Sequence, residues 1–148
     1  MSGLDTSKVT DMSGFLSYTS ITEIDLSGLD TSKVTNMSGF IYLSSVTKIN
    51  LSGVNTQSVT TMSGFLKYCI IQSLTVGEDF GRMKDSVGTL DFSDFRQWKD
   101  NSVKSLLTLY DRKANGMGVI TLKLHENTKA VLGEDGIAQL TAKGYTIA

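Results

Sequence analysis

One 17-residue segment occurs three times in this chain at a fixed period of 25. Residues 2–18 read SGLDTSKVTDMSGFLSY, residues 27–43 read SGLDTSKVTNMSGFIYL, and residues 52–68 read SGVNTQSVTTMSGFLKY. Such a period confines the chain to repeat architectures, in which each unit buries its apolar side chains against its neighbours. Between the copies lie Ile21-Thr22-Glu23-Ile24-Asp25-Leu26, Val46-Thr47-Lys48-Ile49-Asn50-Leu51 and Ile71-Gln72-Ser73-Leu74-Thr75-Val76. All three fit apolar-x-x-apolar-x-apolar, the strand pattern of a leucine-rich repeat. The pattern returns at 87–92 and 119–124, and its second half at 145–147. These spacings predict about six rungs, three regular and three irregular.

The expected fold is an α/β repeat solenoid. It would be a short leucine-rich-repeat arc, with a parallel sheet of about six strands on the concave face and short helices on the convex face. Residues 1–77 form the regular repeats. Residues 78–148 form irregular repeats and a C-terminal cap of the same continuous domain. Val9, Met12 and Leu16 recur at helical spacing, with Asp5, Thr6 and Ser7 as N-cap candidates. That predicts a short helix in the first unit and again over 31–42 and 56–68. Gly14, Gly39 and Gly64 would each weaken such a helix by about 1 kcal/mol, which points to close packing between rungs. The Met and Phe columns read as core. Further on, one or two helical turns are expected over 94–98. Ser102 should cap a helix carrying Val103, Leu106, Leu107 and Tyr110. A turn is expected at 113–118, and a helix over 134–143 should end at Gly144. No strand precedes Ser2, so the edge of 21–26 is expected to be open, inviting self-association or a missing N-terminal partner.

Composition narrows the function classes. The chain has 14 basic and 15 acidic side chains, for a net charge of −1. That argues against a nucleic-acid binder held by a basic face. No apolar stretch approaches the ~18–20 residues of a membrane span. One cysteine excludes an internal disulfide framework, and one histidine beside it makes a His/Cys zinc site improbable. Met1-Ser2-Gly3-Leu4-Asp5 has neither the basic nor the apolar region of an export signal. The chain is therefore expected to be a piece of a longer protein or to act where no signal is needed, as in a phage particle.

The phrase Leu29-Asp30-Thr31-Ser32-Lys33-Val34-Thr35-Asn36-Met37-Ser38-Gly39 resembles the repeat of BspA-like leucine-rich-repeat surface proteins. The tail from Ile137 to Ala148 is similar to the C-terminal caps of such proteins in gut Bacteroidetes and their phages. The resemblance implies a cell-surface or secreted protein that binds a protein or glycan on a host or bacterial surface. It names no partner. The lack of a signal and of a first strand, and the unit length of 25, depart from the family pattern.

No phosphate loop, nucleophile elbow or His-Glu-x-x-His pair is present. The chain is therefore read as a non-enzyme with no cofactor and no metal. His125 reads as a surface histidine and Cys69 as a small buried hydrophobe. The remaining candidate is the polar side of the strands. Period-two alternation places Glu23, Asp25, Lys48, Asn50, Ser73, Thr75, Asp91 and Lys123 on it as ligand-binding residues. The expected central column is Asp25, Asn50, Thr75, Asp91, Lys123, Thr146. A calcium site on Asp25, Asn50 and Asp91 is a remote option. Asn36-Met37-Ser38 and Asn50-Leu51-Ser52 match a glycosylation sequon, a weak pattern. The alternative to a recognition module is a structural or capping segment of a longer solenoid, or a phage particle component.

Overall fold

The computed structural model describes residues 3–148. Six short strands occur in chain order: β1 (Glu23–Asp25), β2 (Lys48–Leu51), β3 (Ser73–Val76), β4 (Thr89–Phe92), β5 (Ile120–Leu124) and β6 (Tyr145–Ile147). Each falls inside a stretch that the repeat pattern marked. They form two parallel three-stranded sheets, β1-β2-β3 and β4-β5-β6, rather than one sheet of six. The period sets the register of the first sheet, since Glu23 pairs with Lys48 and Lys48 with Ser73.

The units join through a second set of hydrogen bonds. In the first unit the amides of Met12, Gly14, Leu16 and Tyr18 donate to the carbonyls of Asn36, Ser38, Phe40 and Tyr42 at 2.8–3.0 Å. In the second unit Met37, Gly39, Ile41 and Leu43 donate likewise to Thr61, Ser63, Phe65 and Lys67 at 2.8–3.1 Å. This corrects the expected convex helices. The consensus segments are turns with isolated bridges at Asp11, Asn36 and Thr61. Their alternate amides point to the next unit, so no i→i−4 ladder can form. Gly14, Gly39 and Gly64 sit at φ of 65°, 58° and 65°, left-handed turn positions that glycine reaches without strain.

The same side chains stack from unit to unit. Met12, Met37 and Met62 are buried. The Phe15, Phe40 and Phe65 rings lie 5.5 and 5.2 Å apart and nearly parallel, and Phe80 extends the row at 5.7 Å. Such pairs add about 0.5–1.5 kcal/mol each beyond area burial. Where units approach most closely, backbone meets backbone. A Cβ on Gly53 would collide with the Ser27 carbonyl, and one on Gly77 with that of Ser52.

Helix α1 (Asp100–Ser105), followed by a 3-10 turn at Leu106–Thr108, closes the free edge of β3. The Lys99 amide donates to the Gln72 carbonyl at 3.1 Å, and Ser102 Oγ accepts from the Leu74 amide at 3.0 Å. The Ser105 and Thr108 hydroxyls donate to the Leu74 and Val76 carbonyls at 3.2 and 3.0 Å. Ser102 therefore lies inside the helix and caps a strand edge, while Lys99 holds the N-cap position. The helical turns expected over 94–98 are absent; a single turn at 93–94 is closed by the Phe95 amide donating to the Phe92 carbonyl at 3.2 Å.

Helix α2 (Glu126–Ala142) is broken at Gly133, and its second part matches the helix expected from residue 134. Gly144 follows with φ 94°. Fully buried Arg112 ties this region to the repeats. Its guanidinium donates to the carbonyls of Gly118, Gly81 and Met83 at 2.7–2.8 Å and to Asp85 Oδ1 at 2.6 Å. No helix is long and apolar enough to cross a membrane among the described residues.

Candidate functional site

Alternation in the first sheet turns Ile49, Leu51, Leu74 and Val76 into the core and the intervening residues outward. Glu23, Asp25, Lys48, Asn50, Ser73 and Thr75 thus line one shallow groove of about 440 Å³, floored by Ile24 and Ile49. The structure brings these six predicted residues together. Asp91 and Lys123 lie apart, in the second sheet, where they are register partners. The expected column is corrected at two places. β3 is followed by α1 rather than by β4, so Asp91 does not neighbour Thr75. Thr146 pairs with Thr121 rather than with Lys123.

Several of these side chains are committed to the backbone. Asp25 Oδ1 accepts from the Ser27 amide at 2.9 Å and hydroxyl at 2.6 Å, and Asn50 Oδ1 accepts from the Ser52 amide at 3.0 Å. Asp91 holds Ser93 in the same way. These are Asx turns at the strand ends. The same motif binds Asp5 to Ser7, Asp30 to Ser32, and Asn36 to Ser38. Both sequon matches are therefore turn formers. The Ser27 hydroxyl and amide hold the Asp25 carboxyl below its usual range.

Lys48 and Glu23 form an exposed ion pair at 3.2 Å. Such pairs contribute about 0–1 kcal/mol, so a ligand can displace either partner cheaply. Ser73 and Thr75 complete a face of mixed charge and small hydroxyls. Among the described residues no group of His, Cys, Asp and Glu could hold a metal ion. The three residues named for calcium do not converge, since Asp91 belongs to the other sheet.

A second groove of about 600 Å³ lies between the third unit and β4. Sequence reasoning missed it. Its walls include Tyr42, Tyr68, Lys67, Ser63, Thr89 and Asp91. Lys67 Nζ reaches Asp91 at 3.1 Å and Asp94 at 3.4 Å, and Lys123 stands 3.8 Å from Asp91. Partial burial acts to raise the Asp91 carboxyl pKa, but Ser93 and Lys67 outweigh it and the net shift is downward. Burial likewise opposes the Lys67 charge, yet Asp91 and Asp94 raise its pKa overall. The only sequence signal for this groove was Lys67, which stands where the first two units carry Ser17 and Tyr42.

His125 Nδ1 accepts from the Asn127 amide at 3.1 Å and so N-caps α2. Cys69 is buried, with Sγ 3.0 Å from the Ile41 carbonyl.

A family model described as a Mycoplasma protein of unknown function, DUF285, matches residues 1–74. No curated protein and no solved structure matches the chain.

Proposed function

The chain belongs to the DUF285 family, and on that premise we propose that it is a non-enzymatic recognition module. In this reading it is a short leucine-rich-repeat solenoid of the BspA-like surface type. It binds a protein or glycan on a host or bacterial surface through the outer face of the β1-β2-β3 sheet. The observation that carries the reading is the groove lined by Glu23, Asp25, Lys48, Asn50, Ser73 and Thr75. Parallel strands run about 4.8 Å apart, so neighbouring members of each row can contact one ligand together. Asp25 and Asn50 shape the strand ends, which leaves Glu23, Lys48, Ser73 and Thr75 as the contacts.

The test is binding of labelled protein to gut bacteria and to immobilised host matrix proteins. The comparison is a Glu23→Ala/Lys48→Ala/Thr75→Ala variant, whose three sites are exposed. Loss of binding with an unchanged melting temperature is the expected result. Binding that persists in the variant would remove the sheet face as the site.

A second reading makes the chain a segment of a longer stack or a particle component. It draws on β1 being an edge strand and on exposed Leu4, Tyr18 and Ile21 nearby. It predicts self-association, and sedimentation as a strict monomer at high concentration would count against it.

A further inference from the structure

Residues 18, 43 and 68 hold the same place in the three units, and all three have a left-handed backbone. Tyr18 sits at φ 58°, Leu43 at 50° and Tyr68 at 59°. Bulky side chains rarely adopt that conformation, whereas glycine reaches it freely. Burial does not offset the strain, since Tyr18 is 74%, Leu43 46% and Tyr68 57% exposed. Strain held at exposed side chains is a mark of functional sites. Tyr68 stands on the wall of the 600 Å³ groove between the third unit and β4. Tyr42 meets it edge to face at 5.5 Å. The Tyr42 ring lies against the turn of the third unit, where a Cβ on Gly64 would stand 3.7 Å from Cδ2. The two rings form an aromatic corner, and Tyr68 is its solvent-facing side.

The polar groups beside this corner are only partly used. An ammonium has three donors, and Lys67 gives two of them, to Asp91 at 3.1 Å and Asp94 at 3.4 Å. A carboxylate has about four acceptor sites. Asp91 fills two with the Ser93 amide and hydroxyl and one with Lys67. Among the described residues that leaves a donor on Lys67 next to an acceptor on Asp91. The Ser63 and Thr89 hydroxyls, on the same walls, form no hydrogen bond to described residues.

We propose that this groove binds a neutral oligosaccharide, with one pyranose ring seated against Tyr68. A pyranose presents a C–H face that packs on an aromatic ring and a rim of hydroxyls. Each hydroxyl both donates and accepts, so two adjacent ones match the open donor of Lys67 and the open acceptor of Asp91. Ser63 and Thr89 offer further hydroxyl partners. The other ligand classes fit less well. A wholly apolar ligand would bury the Lys67–Asp91 pair and two hydroxyls without replacing their water. A charged ligand gains no net field, because Lys67 and Lys123 are balanced by Asp91 and Asp94. An extended peptide finds no row of main-chain donors. The Phe65 and Lys67 amides bond back to the Met62 and Gly64 carbonyls, and the Tyr68 amide donates to Asp94. The volume falls within the roughly 300–1,000 Å³ of ordinary ligand sites. The site stands apart from the sheet face, since none of the six residues of that groove lines this one.

The test titrates the full ¹⁵N-labelled chain with maltotriose, cellotriose, mannotriose and chitotriose. With at least one of them the amide resonances of Gly64, Lys67, Tyr68 and Thr89 should shift, with a dissociation constant of about 0.1–1 mM. Sugar C–H protons should move upfield under the ring current of Tyr68. Tyr68→Leu copies Leu43 of the second unit, so the fold is kept while the ring is lost; binding should weaken at least about tenfold. Tyr68→Phe should retain binding within about threefold. Thr89→Val, which leaves the ring in place, should weaken it by about threefold. No shift at these amides up to about 10 mM of all four sugars would overturn the assignment. So would full binding by a folded Tyr68→Leu variant, or a sulfated oligosaccharide bound in preference to its neutral parent. Shifts centred on Lys48 and Thr75 instead would move the site to the sheet face and overturn it as well.

Discussion

Arg112 shows how much one side chain can hold. Its guanidinium is wholly enclosed and supplies donors to three carbonyls and one carboxylate. Asp85 is 61% exposed at its side chain, so water can replace the guanidinium there. The carbonyls of Gly81 and Met83 have no such recourse. Each buried group left without a partner costs about 1–3 kcal/mol. Arg112→Met should therefore destabilise the protein by about 3–5 kcal/mol, read from urea denaturation. Arg112→Lys should recover less than half, since an ammonium lacks the planar fork. A loss under about 1 kcal/mol would mean that the carbonyls are hydrated in the variant. Nothing in the sequence marks Arg112, because three of its four acceptors are backbone carbonyls, two of them some 30 residues upstream. The Asx turns, by contrast, were legible. Asp or Asn two residues before Ser recurs in every unit, a spacing that suits an Asx turn as well as it suits a sequon or a row of ligands.

Among the elements, the strands were legible and the segments between them were not. Alternation with a fixed period specifies strands and register, because a slip of one residue would turn Ile49 and Leu74 into solvent. The consensus segments carry apolar residues at i, i+3 and i+4, which also satisfies a run of turns that faces one core. Periodicity does not separate the two. The left-handed Gly14, Gly39 and Gly64 do. The split into two sheets depends on α1 taking the place beside β3, and that follows from three hydroxyls without a sequence signature. Those hydroxyls are testable as a set. Ser102→Ala and Thr108→Val should each cost about 1 kcal/mol and together about 2 kcal/mol. Amide exchange at Leu74 should rise in Ser102→Ala while β2 stays protected. Unchanged exchange would mean that the edge is closed by packing of Val103 and Leu106 alone.

At the scale of the whole molecule, the acidic side chains decide how the stack responds to pH. Asp5, Asp11, Asp25 and Asp30 are held below the usual carboxylate range, chiefly by the hydroxyl and then the amide of the serine two residues on. Asp91 is shifted down as well, against its partial burial. A carboxyl whose folded pKa lies below its unfolded value of about 3.9 stabilises the fold fully above that value. It loses the contribution as pH falls through the folded pKa, because the unfolded chain binds the proton first. Stability should therefore be level from pH 7 to about pH 5 and fall steeply below about pH 4. Asparagine offers the same acceptor without a titrating proton, and the third unit already carries Asn55, whose Oδ1 accepts from the Gln57 amide at 2.9 Å. Asp5→Asn/Asp30→Asn should thus leave stability at pH 7 unchanged and flatten the acid limb. Asp5→Ala/Asp30→Ala should lower stability at pH 7 instead, as the turns lose their acceptor. Urea denaturation at pH 7 and pH 3 separates these cases. An acid limb as steep in the asparagine variant as in the parent would place the protonation elsewhere, with the Lys67–Asp91–Asp94 cluster next in line.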